Sequence, residues 1–367
     1  MKKIYTLLPA LIICSALVAQ KHHGKHFTST QKDKSAWTKS IQFSLFAGQA
    51  GGKNWASGSE RFSVSANAFL NAYANRNRGR WYFNNSLIAS YGEIYTDEYG
   101  TIKNDDKIDF FSSLGARVES VKHLGVGAAF NFRSQFSNGY DRDYLNQGLK
   151  RRTSGFFAPA YITLAPLGIQ VAVKHFSIYA TPLGFRGVFV SNAPYSYAFQ
   201  GGAIPANLVN IKNLSPQETT VADMYGVDPS KTLRFEMGPY ISASYNEEIC
   251  KNVTLTGRLD LFSDVLHGKP ANVDVFWTNT FSLKVNRWLN VMYGLDMAYD
   301  DNVRKFGYYK NSAGFQVKSV LGVGIGFQHG GHHGMHRDGM HKDEKHDGEK
   351  HNDEMHERRK NNNKSME

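Results

Sequence analysis

"LNVMYGLDMAYD", residues 289–300, decides how this chain folds. In an extended backbone one side carries Leu289, Val291, Tyr293, Leu295, Met297 and Tyr299. The other carries Asn290, Met292, Gly294, Asp296, Ala298 and Asp300. Period-two alternation over twelve residues is the mark of a strand with one apolar face. In 272–286, Val273, Val275, Trp277, Phe281, Leu283 and Val285 share a face opposite Asp274, Thr278, Thr280, Ser282 and Lys284. In 251–264, Val253, Leu255, Leu259 and Leu261 oppose Thr254, Thr256, Arg258 and Asp260. In 232–245, Leu233, Phe235, Met237, Ile241, Ala243 and Tyr245 oppose Arg234, Glu236, Ser242 and Ser244.

Similar runs cover 40–49, 61–74, 80–93, 107–120, 125–137, 155–165, 169–180 and 313–327, which makes twelve in all. No amphipathic helix interrupts them. A soluble β-sandwich also alternates, but its strands average about 5–6 residues. The runs here are long enough for a tilted strand to cross a bilayer, which takes about 9–11 residues. The connections point the same way. Those near 75–79, 121–124, 165–168, 246–250 and 286–288 are short, and those near 50–60, 94–106, 138–154, 181–231, 265–271 and 301–312 are longer. Strict alternation of short turns and long loops is the habit of transmembrane barrels. The expected fold is therefore all-β, a closed antiparallel transmembrane β-barrel of about twelve strands spanning 37–328. The sheet must close because lipid offers no hydrogen bonds to an open edge. An even strand number places both chain ends on the short-turn side, the periplasm in outer-membrane barrels. Trp81, Tyr91, Trp288 and Tyr299 fall near strand ends, where an interfacial aromatic girdle belongs.

The first residues agree with export. "MKKIYTLLPALIICSALVAQ" has two lysines, an apolar run from Ile4 to Val18 and then Ala19-Gln20, the form of a secretory signal peptide over 1–19. Cys14 lacks the small residue that precedes a lipid-modified cysteine, so a lipoprotein is disfavoured. Cleavage after Ala19 leaves Cys250 as the lone thiol, read as a turn residue with no internal disulfide. A mean hydropathy of −0.44 excludes a bundle of membrane helices. The net charge of +11 sits mostly in the body. An exported chain has little access to nucleic acid, so a charged lumen or an acidic lipid surface is the better partner for that charge.

The order of local signatures resembles a bacterial outer-membrane β-barrel family catalogued only as a domain of unknown function. The matching stretches are "NWASG" at 54–58, "NNSLIASYG" at 84–92, "NDDKIDFFSSLG" at 104–115, "FRSQFSNGYD" at 132–141, "FFAPAY" at 156–161, "LDLFSDV" at 259–265, "DVFWTNTFSLKVNRWLNVMYGLDMAYDD" at 274–301 and the closing "VLGVGIGF". They cover about 37–327 and imply the barrel and its location in the outer membrane, without a substrate. Gly322, Ile325 and Phe327 also resemble the terminal-strand signal read by the barrel insertion machinery.

Three site readings follow. The inward faces are expected to hold Arg117, Arg133, Lys174, Arg234, Arg258, Lys284 and Lys318 with Asp109, Glu119, Glu236, Asp260, Asp274, Asp296 and Asp300. This balance of signs favours a lumen filled by ion pairs over a wide selective pore, though a small-solute channel remains the alternative. The long 181–231 connection can cover or enter the mouth. Secondly, "QFSNG" at 135–139 resembles the His-x-Ser-Asn of barrel lipid hydrolases, with Ser137 and Asn138 in place. Gln135 replaces the histidine and cannot take a proton, and the other body histidines are His123, His175 and His267. An enzyme is therefore not expected, and no cofactor is required.

The third reading concerns the chain ends. Residues 329–367 form a His-rich tail, expected to be disordered and solvated. His329, His332, His333, His336, His341, His346, His351 and His356 lie there, the last five at every fifth residue. The segment 20–36 adds His22, His23 and His26. Five residues advance a helix by about 140°, so these side chains share no helical face, yet a flexible chain can gather them around one ion. Imidazole suits Zn, Cu and Ni. With Gln20 as a free N-terminus, His22 in third position completes a square-planar set for Cu(II) or Ni(II). The expected partners are thus outer-membrane lipids, the insertion machinery and divalent metal ions.

Overall fold

The computed structural model describes residues 37–51, 62–97, 99–144, 149–191, 220–268, 270–303 and 312–330, and at 51, 142–144, 149 and 328–330 it describes the backbone alone. The signal peptide, His22, His23, His26 and the tail histidines from His332 onward lie outside the described residues. Of His329 only the backbone is described.

Twelve strands form one closed ring: β1 (Trp37–Gly51), β2 (Phe62–Arg78), β3 (Trp81–Thr96), β4 (Gly100–Arg117), β5 (Leu124–Ser134), β8 (Ala160–Ala172), β9 (Phe176–Phe189), β10 (Leu233–Cys250), β11 (Val253–Ser263), β12 (Val273–Lys284), β13 (Leu289–Tyr299) and β14 (Gln316–Gly330). Sequence neighbours pair antiparallel around the ring, and β14 closes it beside β1. A small hairpin, β6 (Gly139–Tyr144) with β7 (Leu149–Ser154), stands apart within the β5–β8 connection. One helical turn, α1 (Val221–Met224), interrupts the β9–β10 connection. Among the described residues no helix is long and apolar enough to cross a membrane.

The alternation read from sequence becomes two surfaces. On β14, Val317, Leu321, Val323, Ile325 and Phe327 point out and are exposed, Leu321 at 70 %. Gly322 and Gly326 between them are buried inside. The same outward apolar face continues through Ile169 and Val171 on β8, Ile241 on β10, and Trp277 and Leu283 on β12. A belt of this kind facing water has no counterpart in soluble folds, where contiguous apolar patches stay small. Facing lipid it is the expected surface of a transmembrane barrel.

Close approach of neighbouring backbones requires glycine at two places. A Cβ at Gly324 would stand 1.9 Å from the Leu45 carbonyl oxygen, at the β14–β1 closure. One at Gly238 would stand 1.9 Å from that of Ser263, beside the register shift between Gly238 and Tyr240.

Three expectations need correcting. The loop expected over 94–106 is mostly strand: Ile94 pairs with Ile102, Tyr95 with Thr101 and Thr96 with Gly100. Gly100, at a φ of +66°, permits this tight reversal, so the short/long alternation breaks here in residue count. Secondly, the turn expected at 165–168 lies inside β8, which runs on to Ala172; the chain reverses at 173–175, and β9 then extends to Phe189, paired with β8 and β10, which shortens the 181–231 connection. Thirdly, the 138–154 loop contains a hairpin of its own.

An arginine at the middle of the lipid belt should cost about 2–4 kcal/mol. Leu321→Arg should therefore lower the urea midpoint of heat-modifiable folding in vesicles. An unchanged midpoint would place Leu321 off the lipid face.

A candidate gated lumen

Strands that are not neighbours in the ring touch through the interior, which identifies the lumen directly. Three charged groups lie in its half nearer the long loops. In the first, Arg133 on β5 contacts Asp109 on β4 at 2.9 Å and Asp260 on β11 at 2.8 Å. Arg258 on β11 bonds Asp260 at 3.0 Å and reaches across to Asp109. The Tyr240 hydroxyl donates to Asp260 (2.9 Å) and the Asn131 amide to Asp109 (3.0 Å). Two arginines and two aspartates thus alternate in a ring without net charge.

In the second group Arg186 on β9 bonds Glu236 on β10 at 2.5 Å and reaches Asp274 on β12. Arg234 holds Glu236 at 3.0 Å and Asp264 at 3.4 Å. In the third, Lys107 on β4 meets Asp296 on β13 at 2.9 Å, while Lys318 on β14 bridges Asp296 (3.3 Å) and Asp105 (2.5 Å). Aromatic rings link the first two groups: Arg186 stacks 4.1 Å from the Phe262 centroid and Arg133 4.4 Å from that of Phe276. Glu236 and Asp109 are fully buried, and charges so placed persist only when paired.

Two apolar clusters pack among and beside these groups. Phe46, Phe69, Ile88 and Met292 cluster on one side, and Ala129, Ala165, Tyr179, Tyr240 and Phe262 on the other. Towards the short turns the inward residues change character. Asn71, Tyr73 and Asn75 on β2, Asn84 and Ser86 on β3, and Thr254 and Thr256 on β11 are half-buried rather than buried. Gln42 on β1 donates to Ser282 on β12 (3.0 Å), strands that are not ring neighbours. This half is mainly polar, with Arg117 and Lys284 among its inward side chains and Tyr82, Gln170 and Asn290 buried beside the half-buried positions.

The long-loop mouth carries a lid. Val221, Ala222 and Val227 are buried against Ala158, Tyr161, Val188 and Val190, with Met224, Tyr225 and Phe276 packed alongside. Tyr161 on β8 and Phe276 on β12 meet across the interior, ring centroids 5.3 Å apart, so the lid rests on lumen-facing side chains. Thr220 caps α1 by accepting from the Asp223 amide (3.0 Å). Arg234 donates to the Gly226 carbonyl (3.1 Å) and the Tyr225 hydroxyl to that of Thr153 (2.9 Å).

Beneath the lid, at the start of the loop beyond β13, Asp300 accepts from the Tyr161 hydroxyl (3.0 Å) and the Asn302 amide (2.9 Å). Burial and the neighbouring Asp274 carboxylate push its carboxyl up to about 7, against the opposing pull of Arg186. Burial likewise raises the Tyr225 phenol.

Of the residues expected in the lumen, Arg133, Arg234, Glu236, Arg258, Asp260, Asp274, Asp296 and Lys318 lie in these groups. Arg117 and Lys284 stand half-buried at the short-turn ends of β4 and β12, Arg117 bonding Asn77 at 2.6 Å. Lys174 is a correction: it is exposed in the three-residue turn between β8 and β9, because the alternation was counted through a turn. Glu119 fails for the same reason between β4 and β5. Arg186, Asp105, Lys107 and Asp264 were missed. Arg186 was detectable in "FRGVFV", where Arg186 and Val188 alternate with Phe185, Gly187 and Phe189, but Pro182 and the glycines obscured the run. Trp81 and Trp288 are exposed at short-turn ends, while Tyr91 and Tyr299 stand at the other end of the barrel. Cys250 ends β10 as an exposed free thiol.

Ser137 donates to Asp106 (3.2 Å), and Gln135 donates to the Ala158 carbonyl (2.9 Å). The described histidines are engaged elsewhere: His123 with the Ala172 carbonyl, His175 with Glu247 and His267 with Asp264. Ser137 therefore has no histidine partner among the described residues. No cluster of three or more His, Cys, Asp or Glu side chains suited to a metal occurs among them either.

A family described as "Protein of unknown function (DUF3078)" matches residues 47–140, within the part of the chain that resembled such a family from sequence. No curated protein matches. Solved structures with a similar fold include an outer-membrane channel from Pseudomonas putida F1 (9% identity, 83% of this chain and 99% of that one, TM-score 0.33). The translocator domain of the autotransporter NalP from Neisseria meningitidis is similar at 8% identity, over 87% and 94%, with a TM-score of 0.30. Outer-membrane phospholipase A from Escherichia coli is similar at 8%, over 79% and 92%, with 0.29.

A carboxyl raised in the closed lid holds a proton that an open, solvated state releases. Its contribution to closure is complete below an ordinary aspartate pKa of about 3.9 and is lost as pH rises to about 7. Amide-exchange protection across 220–230, corrected for intrinsic rates, should fall ~10-fold or more between pH 5.5 and 8. Asp300→Asn should flatten that slope, and an unchanged slope would remove Asp300 from the seal.

Proposed function

We propose that the chain is an outer-membrane barrel whose lumen is a gated channel for small polar solutes, closed at its outer mouth by the lid and the ion pairs beneath it. The observation that carries this reading is the asymmetry of the lumen. A solid structural barrel has no need of a half-buried polar layer at one end in place of paired charges, and a constitutive porin has no need of a buried apolar lid. Opening requires the 220–230 segment to leave its seat and the ion-pair layer to part, while the strands stay paired. In this reading the polar short-turn end and both chain ends lie in the periplasm and the lid outside. Gly322, Ile325 and Phe327 on the terminal strand serve the insertion machinery in this reading.

Planar bilayers test the gate. Wild-type protein should be mostly silent with rare openings. Val227→Asp places a charge in a fully buried apolar seat, which weakens the lid by roughly 2 kcal/mol or more and should raise open probability ~30-fold, at about 1.4 kcal/mol per tenfold. A folded, heat-modifiable variant that never conducts would instead favour a closed structural or ligand-binding barrel.

The His-rich tail, in this proposal, collects divalent metal beside the periplasmic mouth. Its support is composition and the regular spacing of His336, His341, His346, His351 and His356. Imidazole ligates only when neutral, so binding should weaken as pH drops below about 6.5. Calorimetry with Zn or Cu on the detergent-folded full chain should give micromolar or tighter binding at pH 7.5, lost at pH 5 and absent from a chain ending at Gly330. Equal binding by the shortened chain would sink the tail's role.

A further inference from the structure

We infer that the short-turn rim of the barrel is a collar for anionic phospholipid headgroups. The inference depends on the barrel spanning a membrane and not on whether its lumen conducts. The short turns carry cations in sequence around the ring: Arg78 and Arg80 flank Gly79 between β2 and β3, Lys122 lies between β4 and β5, and Lys174 between β8 and β9. Lys251 lies between β10 and β11, and Arg287 between β12 and β13. Lys39 on β1 joins them, and all seven are exposed. The carboxylates described at the same end are Glu119, Glu247 and Glu248. Glu247 accepts from Tyr245 and contacts His175, and Glu248 accepts from the Asn252 amide.

Two further observations set the depth and the occupant. The exposed indoles of Trp37, Trp81 and Trp288 stand at this end. Lys39 and Arg76 lie 5.8 and 5.9 Å from the Trp37 centroid, Arg80 lies 5.7 Å from that of Trp81, and Arg287 precedes Trp288. Interfacial tryptophans sit at headgroup level, so these cations reach the depth of lipid phosphates. The cations are spread one or two to a turn over five short turns and β1, beside the apolar belt, rather than gathered in one place as a site for a single free anion would need. The lumenal arginines are matched by carboxylates, so the positive charge of the barrel itself falls on surfaces such as this rim. Basic residues lining the edge of a bilayer attract anionic lipid by their combined field.

The test uses full-length protein in vesicles of phosphatidylcholine with a quarter phosphatidylglycerol, one or the other brominated to quench tryptophan. Brominated phosphatidylglycerol should quench as though enriched at least ~3-fold at the protein surface in low salt, with the enrichment reduced by 0.5 M NaCl as expected for a screened field. The variant R80Q/K122Q/K174Q/K251Q/R287Q should lose the enrichment while staying heat-modifiable. K150Q/K231Q, which removes exposed cations at the opposite end, should keep it. Should the fivefold variant fail to fold, R80Q/R287Q should lose about half of it. No preference in the wild type, or an undiminished preference in a folded collar variant, overturns the inference. So does abolition of the preference by inorganic phosphate at constant ionic strength, which would make the rim a site for the free ion.

Discussion

A backbone surrounded by lipid has no water to satisfy its amides and carbonyls, and every other feature of this molecule follows from that constraint. The constraint rules out an open sheet and joins β14 to β1, although these are the first and last strands of the ring. It also determines which residues the sequence can place where. Closure brings the β1 and β14 backbones so near that Gly324 leaves no room for a Cβ beside the Leu45 carbonyl. Once the ring is closed, one face of every strand belongs to lipid and the other to a narrow interior. The period-two pattern then separates two environments far more different than the two faces of a soluble sheet.

The interior inherits a problem of its own. Polar and charged residues excluded from the lipid face collect inside, where the diameter of a twelve-strand ring brings opposite walls within side-chain reach. Charge must then be neutralised locally, because an unpaired ion in such a space costs several kcal/mol. The Asp109–Arg133–Asp260–Arg258 ring achieves this by alternating sign across three strands, and the flanking Tyr240 and Asn131 take up remaining acceptor positions. The arginine planes also lie against Phe262 and Phe276, so the same side chains that close the electrostatics close the packing. The second group is less balanced. Asp300 sits near Asp274 and Glu236 with Arg186 as the nearest counter-ion, and its proton affinity rises accordingly.

Much of the barrel was legible because strand alternation is a local property. Residues 289–300 needed nothing but their own order to be read as β13. The pairing of charges was not legible, since whether Lys107 meets Asp296 depends on register and shear accumulated around the ring. Local signals also misled at identifiable places. "NDD" at 104–106 reads as loop, yet Asp105 faces the lumen and Asp106 receives the 136–137 backbone amides. Pro182, Gly184 and Gly187 hid the outer half of β9 and with it Arg186. Parity counted past Ala172 put Lys174 inside when the chain had already turned. The lid left no periodic trace at all: Val221, Ala222 and Val227 become a seat only because Tyr161, Val188 and Phe276 arrive from three separate strands.

The lid and the charged layer close the same end by different physics. The lid is held by a small apolar cluster and a few backbone-directed hydrogen bonds, interactions that are short-ranged and independent of salt. The layer beneath is held by ion pairs whose members are anchored on strands that cannot move apart without breaking the ladder. The 220–230 segment belongs to no strand pair and is followed by only residues 231 and 232 before β10, so it could leave its seat by pivoting there without breaking the ladder. The ion-pair layer cannot shift as a body, but its long arginine and lysine side chains can exchange partners among neighbouring carboxylates. The proposed opening therefore asks motion only of the 220–230 segment and the side chains beneath it, and leaves intact the closed backbone ring that lipid demands.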